Sequence, residues 1–214
     1  MQIVIVGGGI AGFSAYLFLR KRFKSHPSLS SISIKIFESH NTSPTPEHVN
    51  ATLEGQQGLA SSSAIVGGGL ATSPNGMRVL RDLDLGIHRA FTEQGFLCEH
   101  FTFKAARGFQ LVKASTSDGR KPPEYSVSSS RHGLWDCLRK AVEPEAIVFK
   151  ELSEIVKQQN GRLLLRFVKG GDEEADLVIG ADGVRSAVKK AMFGEENDEK
   201  YAPRYEGLIG VGGF

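Results

Sequence analysis

Six consecutive residues near the start of the chain, Gly7-Gly8-Gly9-Ile10-Ala11-Gly12, have the types and spacing G-x-G-x-x-G. The chemistry such a run supports is the holding of a pyrophosphate. The first glycine permits a tight turn, the second lets the backbone approach an anion, and the third lets a helix pack closely on the strand before it. A helix opening at Ile10 presents unpaired N–H groups and the positive end of its dipole to phosphate oxygens. No acidic residue lies in that first turn to compete for the site. A glycine-rich turn without a ligand is the plain alternative, but this run stands in the right frame between a strand and a helix. Gly7, Gly9, Ile10, Ala11 and Gly12 are therefore candidate cofactor contacts. Glu38 joins them at the end of the next predicted strand, where a carboxylate accepts hydrogen bonds from ribose hydroxyls and repels a 2′-phosphate. A surface glutamate at a strand end is its bland reading. Together these residues indicate a dinucleotide site that excludes a resident NADP, and they do not choose between FAD and NAD.

The elements needed to position these groups are legible nearby. Residues 2–6 are mostly β-branched and apolar, which suits a parallel strand buried on both faces. A helix is predicted over 10–24, with Arg20, Lys21, Arg22 and Lys24 at the end where cations complement the dipole. A second strand spans 32–37 and ends at Glu38. Residues 39–63 are rich in Ser, Thr, Pro, Asn and Gln and read as a long surface loop. A glycine patch at Gly67–Gly69 precedes a helix over 75–84. Strands are expected at 96–103, 109–113 and 125–130, then a helix over 131–142. Further strands lie near Ile147, at 152–158 and at 162–168, the last two joined through Asn160-Gly161, a strong hairpin signal. Residues 176–179 form another buried strand, with Asp182-Gly183 at its end and a helix from Val184.

Three later segments carry a resemblance. Gly180-Ala181-Asp182-Gly183-Val184-Arg185-Ser186 resembles the G-A-D-G-x-x-S signature of the flavoprotein aromatic hydroxylases, the single-component monooxygenases of the p-hydroxybenzoate and salicylate hydroxylase type. Ser130-Arg131-His132-Gly133-Leu134, with Leu138 beyond, resembles their S-R-x-x-L helix start. Pro74-Asn75-Gly76-Met77, with Leu80 and Leu83, resembles the helix after their first glycine region. Each is weak alone, and their order behind the glycine run makes the combination specific from Gln2 to about Phe193. The resemblance implies an α/β Rossmann-type FAD/NAD(P)-binding fold with an added antiparallel β portion, the substrate domain being incomplete. It implies FAD as the cofactor, NADH or NADPH as transient electron donor, and molecular oxygen and a small aromatic molecule as substrates. In that family the nicotinamide reduces FAD, and oxygen then serves to hydroxylate an electron-rich ring. Arg131 is expected to reach the pyrophosphate or ribose, unless it serves only in a surface salt bridge. Asp182 is expected near the pyrophosphate, and it also suits an N-cap. Lys189 stands where the family often has Arg, which keeps the charge and weakens a bidentate contact. No catalytic acid or base is located.

The remaining features bound the reading. A length of 214 residues suits one FAD-binding domain, with 96–130 as a β-rich insertion and 204–214 as the start of a substrate-domain strand. The net charge of +2 calls for neither nucleic acid nor a membrane surface, and no run approaches the ~20 apolar residues of a membrane span. The apolar opening lacks a basic flank and breaks into glycines, so it is not read as a signal peptide. Cys98 and Cys137 read as reduced thiols of a cytoplasmic protein. The sequons at Asn41 and Asn50 are read as chance. The six histidines show no ligand spacing, no G-x-S-x-G is present, and Trp135 and the phenylalanines read most simply as core. Two other functions stay open: a non-catalytic, remnant FAD-binding module, and an NAD-linked Rossmann dehydrogenase, which leaves the Arg131 and Asp182 segments unaccounted for.

Overall fold

The computed structural model describes residues 1–29, 31–40, 68–194 and 204–207. Most of the long loop read at 39–63, both sequons, Gly67 and the apolar run from Leu208 lie outside the described residues.

At the centre is a four-stranded parallel sheet, in which β1 (Gln2–Val6) lies between β12 (Leu177–Gly180) and β2 (Ser33–Glu38), and β8 (Ile147–Phe149) follows β2. The near-continuous apolar run of β1 has its explanation here, because both faces of the strand are covered. Ile3 and Ile5 point into one buried cluster with Phe13, Tyr16, Met77, Phe91, Leu134 and Leu138. Val4 and Val6 point into another with Phe37, Leu165, Phe167, Ala175 and Val188. Alternate residues of a strand face opposite sides, so a strand between two layers must be apolar throughout.

Helices form the first layer. α1 (Ile10–Lys24) returns the chain from β1 to β2 and matches the predicted bounds. α2 (Pro74–Leu83), α3 (Leu85–Gln94) and α4 (Arg131–Lys140) pack beside it. The sequence reading ended the helix at Asp84, as observed, and missed α3, which Asp84 starts. Its carboxylate accepts from the N–H groups of Gly86 and Ile87 and so caps a new helix where the old one ends. The opposite layer is an antiparallel meander of β9 (Leu152–Lys157), β10 (Leu163–Phe167) and β11 (Glu173–Ala175), with α5 (Ala187–Phe193). Gly161 takes φ 81° in the β9–β10 turn, as the Asn-Gly pair foretold.

The added antiparallel portion is also present, in two pieces. β3 (Gly69–Thr72), β7 (Ser126–Ser130) and β4 (Phe96–Cys98) form one sheet, and β5 (His100–Lys104) pairs with β6 (Gln110–Ser115) in a hairpin. Every residue of that hairpin is exposed, although Phe101, Phe103, Val112 and Ala114 share one face. The expectation that the phenylalanines are core therefore holds for Phe13, Phe37 and Phe91 and not for these strands. No helix of the described residues is long and apolar enough to cross a membrane.

Asp176 sets the register of β12 on β1. Its carboxylate accepts from the Gln2 N–H at 2.6 Å and from Arg162 at 3.1 Å, while its own N–H donates to the Gln2 carbonyl. The Gln2 hydrogen bond, with the Arg162 charge, holds its carboxyl below the usual carboxylate range against a smaller opposing effect of burial. A depressed carboxylate stabilises the fold fully above its unfolded value of about 4 and loses that contribution as pH falls through the lower folded value. Urea unfolding between pH 5 and pH 3 is expected to show a smaller pH-dependent loss for Asp176→Asn than for the wild type; parallel losses would remove Asp176 from this role. Leu138→Ala, at a fully buried contact of α4 with α1, is expected to cost about 2–5 kcal/mol in the same assay.

Candidate functional site

Because the four central strands are parallel, their carboxyl ends open at one edge of the sheet, where open α/β folds bind ligands. β1 runs into Gly7–Gly9, β2 ends at Glu38, β8 is followed by Lys150, and β12 by Ala181-Asp182. Hydrogen bonds between the ends fix the loop. The Gly7 N–H donates to the Phe37 carbonyl at 2.8 Å, and the Ala181 N–H donates to the Val6 carbonyl at 2.7 Å.

The three motif glycines are needed for three different reasons. Gly7 has φ 107°, and a Cβ there would meet the Ala181 carbonyl oxygen at 2.3 Å. At Gly12 a Cβ would lie 1.8 Å from the Gly7 carbonyl oxygen, so only glycine lets α1 approach the turn. Gly9 is unlike both. Its backbone is extended, with φ −84° and ψ −175°, and among the described residues nothing lies within 4 Å of where its Cβ would be. Neither its conformation nor packing among the described residues asks for glycine there. The open space is clearance for a group from outside the chain, beside a helix N-terminus that no side chain caps. A dinucleotide pyrophosphate fits both observations.

Two clefts flank this loop. One, of about 300 Å³, is lined by Gly8, Gly9, Glu38, His40, Arg131, His132 and Trp135. The other, of about 400 Å³, includes Gly7, Gly9, Glu38, Lys150, Asp182 and Arg185. The candidates Gly9, Glu38 and Arg131 thus meet in the first, and Gly7, Gly9, Glu38 and Asp182 in the second. Gly12 lies beneath as packing, and Ile10 and Ala11 form the first turn of α1.

Glu38 is held by its surroundings. One carboxylate oxygen accepts from the Gly8 N–H at 2.6 Å, and the other accepts from the His40 N–H at 2.9 Å and the Ser39 hydroxyl at 3.2 Å. Arg131 opens α4, where its backbone N–H donates to the Gly68 carbonyl and the Ser130 hydroxyl oxygen caps the helix by accepting from the Gly133 N–H. Its side chain is exposed, and among the described residues it makes no ion pair. Asp182 serves as a cap, as one reading had it, but for a helix that begins at Ala187 rather than Val184. Its carboxylate accepts from the N–H groups of Ala187 and Val188 and from the Ser186 hydroxyl. Residues 183–186 make a turn instead, with Gly183 at φ 77°, and Ser186 itself caps α5.

Sequence reasoning missed Trp135. It is half-buried rather than core, its indole N–H donates to the Gly8 carbonyl at 2.8 Å, and its ring stacks on His132 with centroids 5.2 Å apart. A signal was available, since residues 131, 132 and 135 fall on neighbouring positions of the helix that Arg131 opens. A larger cavity, about 960 Å³, lies elsewhere, between the far end of α1 and the α2–α3 junction. Several of its charged groups are already engaged: Arg20 with Glu143 at 3.3 Å, Lys21 with the carbonyls of Asp82 and Leu83, and Asp84 with the helix it caps. There, burial and a hydrogen bond to Glu143 push the Tyr16 hydroxyl up to about 12. The smaller clefts, which adjoin the glycine turn and the start of α1, are the better candidates. Among the described residues no group of three metal-ligating side chains is placed to hold an ion.

No family model matches the chain. It is similar over nearly its whole length to FAD-dependent monooxygenases. The "FAD-dependent monooxygenase pigN" of Monascus ruber is 27% identical, with 96% of this chain and 42% of that protein covered. A salicylate hydroxylase of Pseudomonas putida is 26% identical, with 100% of this chain and 43% of the relative covered. The chain thus spans less than half the length of the curated relatives it matches. Among solved structures, the R204Q variant of Klebsiella pneumoniae HpxO complexed with FAD superimposes with a TM-score of 0.63 at 18% identity, covering 89% of this chain and 42% of that one. That likeness shows the shared Rossmann-like fold.

The differing roles of the glycines make a direct expectation. Gly9→Ala should unfold within about 0.5 kcal/mol of the wild type, since its Cβ enters open space. Gly12→Ala should lose several times that, because its Cβ collides with backbone that cannot swing away. Equal stability of the two variants in chemical denaturation would contradict this account of the turn.

Proposed function

We propose that this chain is the FAD-binding part of a flavin-dependent monooxygenase that hydroxylates a small aromatic molecule. The observation that carries the reading is the clearance at Gly9, beside an uncapped helix N-terminus and within a cleft shared with Glu38 and Arg131. The choice of FAD over NAD rests on the similarity to FAD-dependent monooxygenases over 96% of the chain.

Each residue then has a physical task. The N–H groups at Gly9, Ile10 and Ala11 face the pyrophosphate, and the α1 dipole favours its charge. Gly7 and Gly12 shape the turn. Glu38 accepts from ribose hydroxyls with the lone pairs its backbone donors leave free. Arg131 supplies a positive charge and a fork of donors suited to phosphate oxygens. Asp182 fixes the loop after β12 against α5, and its neighbour Arg185 lies in the same cleft. FAD, when bound, supplies the redox and oxygen chemistry, and the protein binds and orients it. Reduction by NADH or NADPH, use of molecular oxygen and an aromatic substrate complete the proposal, together with residues 1–214 as one FAD-binding unit. No side chain is assigned as acid or base.

The test is a titration of the purified chain with FAD, with NAD in parallel, followed by the flavin absorbance band and by calorimetry. Saturable FAD binding with a shifted band is expected. Glu38→Ala should weaken it at least about tenfold, since it removes ribose acceptors and the partner of the Gly8 N–H. Binding of NAD without FAD would sink the flavin reading, and an unchanged FAD affinity in Glu38→Ala would take Glu38 out of the site.

A further inference from the structure

We infer that Trp135 is a positioning residue that locks the Gly8–Gly9 peptide in the orientation that binds pyrophosphate. The inference rests on the dinucleotide site proposed above and adds a residue that the glycine motif does not contain.

The Gly8–Gly9 peptide is the least constrained unit of the loop. It joins two glycines, so no Cβ opposes rotation of the whole plane about its flanking bonds. Gly9 has open space beside it, so packing does not hold it either. The peptide is trans, which places its C=O and N–H on opposite sides of one rigid plane. Whatever holds the Gly8 carbonyl therefore decides where the Gly9 N–H points. The Trp135 indole N–H holds it, at 2.8 Å. An indole N–H is a donor only, so it can grip a carbonyl and never the N–H face of a flipped peptide. With the carbonyl turned to α4, the Gly9 N–H faces away from Trp135, at the N-terminus of α1. A flip would replace that donor with a carbonyl oxygen and set negative charge against the phosphates.

The grip is itself rigid. The Trp135 ring lies between His132, stacked with an interplanar angle of 28°, and Phe13 of α1, 5.8 Å away. Phe13 is buried, and its N–H donates to the Gly9 carbonyl at 3.0 Å. On the other side of the same residue, Glu38 takes the Gly8 N–H. Gly8 is thus fixed at its amide by the end of β2 and at its carbonyl by α4, and only the α4 contact controls the Gly9 donor.

The test compares the wild-type chain with Trp135→Phe, which keeps a ring against His132 and Phe13 and removes the N–H. Affinities for ADP, FAD and adenosine are measured by calorimetry and, for adenosine, by NMR titration. ADP and FAD are expected to weaken by the same factor, about 5- to 10-fold for one lost hydrogen bond acting on the diphosphate, with adenosine changed by less than about twofold. Equal ADP affinities would overturn the role of Trp135 and leave the flavin reading standing. An equal loss for adenosine would also overturn it, because the effect would then lie in ring contact. ADP binding without FAD binding would sink the flavin reading and leave the Trp135 role intact, while a wild-type chain that bound neither would end both. A second measurement needs no variant. Trp135 is the chain's only tryptophan, so its indole proton gives one NMR signal. Exchange with solvent at least about tenfold slower than for free indole is expected of a held N–H, and exchange at the free rate would refute the grip.

Discussion

The site depends on one close approach, that of α1 to the turn leaving β1. At Gly12 the helix backbone comes so near the Gly7 carbonyl that no side chain fits between them. That contact sets where α1 begins and therefore where its unpaired N–H groups and dipole are aimed. The parallel sheet brings the other ends to the same place. Glu38, the Ala181-Asp182 turn and the start of α4 are each anchored by elements whose register is fixed elsewhere, by Asp176 on Gln2 and by the two buried clusters on either face of β1.

Much of this was legible in the sequence because the relevant signals are local. A run of β-branched residues, a glycine turn and a basic helix end announce β1 and α1 to the residue. Asn160-Gly161 announces a hairpin by its dihedral requirement. The features that escaped depend on contacts between distant residues. α3 went unread although Asp84 caps its start, because the cap is visible only once the Gly86 and Ile87 N–H groups are seen to donate to that carboxylate. β3 and β11 are short strands defined by their partners rather than by composition. The helix after Asp182 begins late because Ser186, not Asp182, is its N-cap, and the acid reaches forward from the turn.

The site residues divide in the same way. The glycines and Glu38 could be named from spacing, and Arg131 from the resemblance of its helix start to the flavoprotein hydroxylases. Trp135 could not, because its partner is a backbone carbonyl 127 positions away. Composition places tryptophan in cores by default, and here its apolar body does pack against the helix cluster while its polar edge does the fixing. The exposed hairpin of β5 and β6 shows the converse: the sequence indicated β-structure but ran β4 and β5 together as one strand over 96–103, and it did not say which face is covered.

One junction has a mechanical meaning. β7 ends at Ser130 and α4 begins at Arg131, with no loop between them, and Ser130 caps the helix it leads into. A strand and a helix joined without slack behave as a single bent rod. The position of the small sheet of β3, β7 and β4 therefore bears directly on where α4 starts, and with it Arg131, His132 and Trp135. The antiparallel portion is thus joined, without an intervening loop, to the helix whose Trp135 holds the Gly8 carbonyl.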